Sequence, residues 1–79
     1  MKPTTFRIAI SSPPDRERLV AEVFADNIQW AELNVETGTL TLELYGRPDG
    51  QPWTFDYDPA LEALKEARTR LLGRSGDVK

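Results

Sequence analysis

Apolar residues along this chain recur mostly at every second position, and only the last third switches to helical spacing. Phe6, Ile8 and Ile10 alternate with polar or small residues, which predicts a strand over Phe6 to Ile10. Ser11-Ser12-Pro13-Pro14-Asp15 ends it, because proline cannot donate to a ladder and this residue mix favours turns. Leu19 to Phe24 has two readings. As a helix it would start at Ser12 with proline in the first turn, and Leu19, Val20, Val23 and Phe24 would form a stripe. As a strand it is short, rich in valine and phenylalanine, and closed by Ala25-Asp26-Asn27; the meander that follows favours the strand.

Ile28 to Val35 reads as the next strand, and Thr37-Gly38 supplies a turn. Thr39 to Tyr45 alternates strictly, with Leu40, Leu42 and Leu44 expected toward the core. Gly46 to Pro52 is a turn built on Pro48-Asp49-Gly50. Trp53-Thr54-Phe55-Asp56-Tyr57 alternates again, with three aromatics on one face, and is expected as a further strand. Asp58-Pro59 then opens a helix, with Asp58 as N-cap and Pro59 as first helical residue. Leu61, Leu64, Leu71 and Leu72 keep helical spacing, Glu62–Lys65 and Glu66–Arg70 are favourable surface pairs, Gly73 ends the helix, and residues 74–79 form a loose tail.

The expected fold class is α+β, one domain over residues 1–79. An antiparallel β-meander of four to five strands carries one C-terminal α-helix on one face, bedded on Leu40, Leu42, Leu44, Trp53, Phe55 and Tyr57. The opposite face would stay open. With Ala31, Leu33 and Val35 inward, Trp30, Glu32, Asn34 and Glu36 point outward, joined by Glu43, Tyr45, Thr54 and Asp56. The competing reading is that a register change or bulge turns Trp30 into the core, since a one-residue slip flips every side chain.

Composition narrows the function classes. A chain of 79 residues builds a thin core with little room for a closed active site. It has no cysteine and no histidine, which removes disulfides, thiolate metal sites and the commonest general base. Its serines and threonines have no histidine to activate them, and Lys65 is expected to be solvated. Asp56 and Asp58 could pair as acid–base groups or around a hard cation, but helix capping accounts for them better. Gly46 to Gly50 lacks the lysine and serine of a phosphate loop and precedes a strand, so it reads as a hairpin connection with Arg47 and Asp49 exposed. No catalytic, metal or cofactor site is expected. No signal-peptide pattern opens the chain and no apolar run reaches the ~20 residues of a membrane span, which points to a cytoplasmic protein with no membrane partner.

The net charge of −3 is unevenly spread: residues 19–62 hold nine acids against Arg47 alone, while both ends are basic. An acidic body repels phosphate backbones and attracts basic proteins. Trp30 and Tyr45 belong to residue types that anchor interfaces. The expected partner-binding set is therefore Trp30, Glu32, Glu43, Tyr45, Arg47 and Asp56.

The stretch from Ser11-Ser12-Pro13-Pro14-Asp15-Arg16-Glu17-Arg18 to Val23, then Gly46-Arg47-Pro48-Asp49-Gly50-Gln51-Pro52-Trp53-Thr54-Phe55 and the leucine/alanine helix, resembles small bacterial immunity proteins of polymorphic-toxin systems. The likeness spans roughly residues 10 to 72 and lies in turns and a tryptophan-containing strand. It implies a cytoplasmic inhibitor that occludes one toxin domain, often a basic nuclease, without catalysing anything. The competing expectations are a structural or regulatory homodimer, formed through an edge strand or the open face, and a small ligand-binding enzyme.

Overall fold

The computed structural model describes residues 3–74, and the expected tail beyond Arg74 lies outside them. Four strands form one antiparallel meander in the order β1-β2-β3-β4: β1 Phe6–Ser11, β2 Val20–Ala25, β3 Ile28–Asn34 and β4 Thr41–Leu44. One helix, α1 Tyr57–Arg74, packs on one face, so the fold is α+β as the alternation predicts. Leu19 to Phe24 resolves in favour of the strand, shifted by one residue. Two-sided burial explains the choice, because Val20 and Val23 are both fully buried and lie on opposite sides of the sheet.

The β2–β3 hairpin closes on Asp26 and Asn27, both left-handed at φ 50° and 71°. Two successive positive φ values make the primed turn whose twist matches a right-twisted hairpin. The Asp26 carboxylate also accepts from the Thr5 amide at 2.9 Å, which ties the start of β1 to the turn. At the other end Gly38, at φ 87°, donates to the Val35 carbonyl and closes the β3–β4 turn.

The core lies between α1 and the sheet. Ala21, Val23 and Ala25 of β2, Ala31 and Leu33 of β3, and Ala63, Ala67 and Leu71 of α1 are its buried centre, flanked by Phe6, Ile8 and Ile10. Alanines on both layers let the helix approach the sheet closely. The expected bed holds in part, since Leu40, Trp53 and Phe55 pack against this core. The helix covers β1, β2 and part of β3 and makes no contact with β4. Leu42 and Leu44 are therefore 45% and 67% exposed, and Tyr57 is exposed as well. The cause is topological: β4 is an edge strand, and the chain recrosses the sheet before the helix begins.

That crossing segment is Trp53 to Asp56, expected as a strand and found unpaired. Phe55 packs on Trp30 and Phe6 with ring centroids 4.7 and 5.2 Å apart, and Trp53 stacks on Phe55 while donating to the Tyr45 carbonyl. Its aromatics fill the core edge-on instead of joining the ladder. The helix begins two residues earlier than expected. The Ala60 amide bonds to the Asp56 carbonyl, which makes Asp56 the capping residue and puts Asp58 inside the first turn, where its charge complements the positive end of the helix dipole. Gly73 does not end the helix, which continues to Arg74. The surface pairs form as read, Arg70–Glu66 at 2.8 Å and Lys65–Glu62 at 3.8 Å.

Candidate functional site

Side chains of β3 and β4 on the face away from the helix come from alternate positions in register: Glu32 opposite Glu43, and Asn34 opposite Thr41. The sequence assigned this face to solvent. In the structure Glu32 is 5% and Asn34 1% exposed, because the β1–β2 connection, residues 12–19, folds back across them as a strap. A turn at Pro13–Arg16 directs the strap, with the Arg16 amide bonded to the Pro13 carbonyl.

Arg16 is the buckle. Its Nη2 lies 3.0 Å from both carboxylate oxygens of Glu43 and 3.1 Å from Glu32 Oε2. Asn34 Nδ2 donates to Glu32 at 3.1 Å and to Glu43 at 2.7 Å, so a neutral amide bridges two carboxylates that would otherwise repel. The Tyr45 hydroxyl donates to the remaining Glu32 oxygen at 2.8 Å. Glu36, one step further along, accepts from the Glu17 and Arg18 amides at 3.4 and 3.0 Å and pins the strap's far end. Buried polar groups need such saturation, since each unmade bond would cost its full desolvation.

The electrostatics follow from this geometry. Burial pushes the Tyr45 hydroxyl up to about 12, reinforced by its bond to Glu32 and by the charges of Glu32 and Glu43, with Arg16 opposing. The bond to Glu43 and the charge of Glu32 raise Arg16 above its ordinary value despite partial desolvation. Two carboxylates share one guanidinium, so the cluster keeps a negative charge. Its surroundings add to it. Strap and face together carry Asp15, Glu17, Glu22, Glu32, Glu36 and Glu43 against Arg7, Arg16 and Arg18. Arg7 is stacked on the ring of Phe24, its cross-strand neighbour, at 4.1 Å.

Of the six residues expected to bind a partner, the structure brings Glu32, Glu43 and Tyr45 into one cluster. Trp30 is corrected. It is 6% exposed and belongs to the core, because β3 carries an extra residue there: Val23 pairs with Ala31 but Phe24 with Gln29. The bulge turns the indole under the helix layer. Glu32 is likewise no surface group. Arg47 is exposed in the β4–α1 loop, paired with Asp49 at 3.1 Å and lying over the Trp53 ring at 5.7 Å. Asp56 stands apart at the helix start, on the rim of an open cleft of about 590 Å³ floored by Phe6 and Phe55 and flanked by Pro3 and Pro59.

Sequence reading missed Arg16, the residue that organises the face. The available signal was indirect: a stripe of acids on alternate strand positions, and an arginine just past a proline pair. Among the described residues no group of three or more histidine, cysteine or carboxylate side chains is placed to hold a metal ion. No helix among them is long and apolar enough to cross a membrane. No protein family, curated protein or solved structure matches the chain.

Proposed function

We propose that the chain is a protein-binding module of the immunity type, which holds a basic toxin domain against its strap-covered face and blocks it by occlusion. The observation that carries this reading is the charge of that face. Six acids meet three arginines there, an excess equal to the net charge of the whole chain. Its exposed acids, Asp15 and Glu17 on the strap and the half-exposed Glu22 and Glu43, steer a basic partner in, while Tyr45 contributes contact area at the rim. Glu32 acts from beneath by fixing Arg16 and Tyr45, and Trp30 acts only through the fold. No bond is made or broken in this role. A cytoplasmic location fits an inhibitor that meets its toxin where the toxin acts.

The test starts with capture of a protein from the source organism on the tagged full-length chain and continues with the purified pair. The partner's own activity should be abolished at one-to-one stoichiometry. Glu22→Lys should slow association about tenfold at low salt, with the difference fading as ionic strength rises. A partner bound equally well by Glu22→Lys at every salt concentration, or one left fully active in the complex, overturns the reading.

A further inference from the structure

We propose that β4 is a self-pairing edge, at which a second copy of the chain adds antiparallel strand to strand. This surface lies at the sheet edge, apart from the strap-covered face, and the inference does not depend on the immunity reading.

The two edges of the sheet differ. Thr5 and Asp26 form a hydrogen-bonded pair, so alternation along β1 turns the Ile8 carbonyl outward, and there Arg70 of α1 reaches it at 3.5 Å. A long cationic side chain laid over an edge is a common guard against strand addition. At β4 the Tyr45 amide bonds to the Trp30 carbonyl, so Thr41 and Glu43 also face β3 and the main-chain groups of Leu42 and Leu44 point away from the sheet. No helix covers the side chains of these two leucines, which are 45% and 67% exposed.

Two features select a second copy as the occupant. The first is charge. The chain is acidic overall, yet the charges bordering β4 are already paired, Glu43 with Arg16 and Arg47 with Asp49. Two copies can meet here with each Glu43 held by its own Arg16, so no bare carboxylate faces another across the seam. The second is sequence symmetry. In Thr39-Leu40-Thr41-Leu42-Glu43-Leu44-Tyr45 the central residue is Leu42. A two-fold axis through Leu42 pairs it with itself, Leu40 with Leu44, Thr41 with Glu43 and Thr39 with Tyr45. Leucine then meets only leucine, and the glutamate meets a hydroxyl. An axis through Glu43 would instead set like charges opposite each other. In the Leu42 register the outward main-chain groups of Leu40, Leu42 and Leu44 supply up to about six hydrogen bonds. The axis stands perpendicular to the sheet, so both helices share one side and the leucines of both copies fill the trough between them.

The chain contains no cysteine, so single cysteines report the register directly. Sedimentation of the wild-type chain from micromolar to millimolar concentration should show a species of twice the 8.9 kDa chain mass, and Leu42→Lys should return it to monomer with an unchanged circular dichroism spectrum. With a short thiol-reactive cross-linker Leu42→Cys should cross-link efficiently, since facing Cα atoms in a hydrogen-bonded pair lie about 5.5 Å apart. Leu44→Cys, held about 14 Å from its counterpart in this register, should not cross-link. A wild-type chain that stays monomeric throughout, a dimer that survives Leu42→Lys, or cross-linking at Leu44→Cys in place of Leu42→Cys overturns the proposal.

Discussion

Trp30 shows how one residue changes role when the backbone around it gains a single position. A regular β3 would turn its indole away from the helix, but the bulge against Val23 and Phe24 rotates it into contact with Phe6 and Phe55. Among the described residues, the buried indole Nε1 finds no hydrogen-bond partner. An unsatisfied buried donor costs roughly 1–3 kcal/mol, which offsets part of the ring's hydrophobic gain. Two substitutions separate these contributions. Trp30→Ala should destabilise by about 3–5 kcal/mol through the cavity it leaves. Trp30→Phe keeps most of the aromatic volume and removes the orphan donor, so it should stay within about 1 kcal/mol of wild type. Urea unfolding of the three proteins measures both. A phenylalanine variant as unstable as the alanine variant would mean that the indole N–H is satisfied in solution. The sequence left open whether Trp30 faced in or out, because alternation fixes relative sides only while the register is unbroken, and nothing local to Gln29-Trp30-Ala31 announces a bulge.

At the scale of elements, alternation located β1 and β4, composition and the meander pattern located β2 and β3, and turn chemistry located their connections. Asp26-Asn27 carries the β2–β3 hairpin on two left-handed residues, a conformation that costs most L-residues 1–2 kcal/mol and that asparagine tolerates. Asn27→Ala should therefore destabilise by about 1 kcal/mol, while Asn27→Gly should stay within about 0.5 kcal/mol of wild type. Thermal unfolding of the two variants decides this. Equal losses would show that the asparagine side chain, and not the backbone angle, holds the turn. Trp53 to Tyr57 was misread as a strand for a definite reason. Alternation reports an extended segment with two different sides, and a ladder partner is a separate requirement that only topology supplies. Here the extended segment crosses the sheet and lends its aromatics to the core. The expected helix bed holds for Leu40, Trp53 and Phe55, which pack against the core, and fails for the exposed Leu42, Leu44 and Tyr57. Leu42 and Leu44 lie on the correct side of the sheet, but the order β1-β2-β3-β4 puts them beyond the helix's reach.

Across the whole molecule the sheet separates two different surfaces, an apolar β4 margin beside the helix and an acidic face under the strap. The acid stripe could be read from Glu32, Glu36 and Glu43 at alternating positions, but its partner could not. A loop arginine has no periodicity, and Arg16 finds Glu43 across 27 positions of chain. What the sequence presented as an open binding face is half occupied from within, so the strap decides how much acidic surface a partner meets. The buckle and the pin should be separable. Glu36 holds only the Glu17 and Arg18 amides, at an exposed site, so Glu36→Ala should speed hydrogen exchange at those two amides and leave the sheet's protection and the melting temperature nearly unchanged. Arg16→Ala removes the cation between Glu32 and Glu43, leaving two carboxylates that, among the described residues, share the Asn34 amide. Repulsion beneath the strap should then release residues 12–19 as a unit, raise exchange across them and lower the melting temperature. Part of that loss should be recovered as salt screens the pair. Arg16→Lys keeps the charge but replaces a planar donor array by a single ammonium, and should fall between the two. Unchanged strap protection in Arg16→Ala would show that the proline turn and Glu36 position the strap unaided, and that Arg16 serves only to neutralise the face.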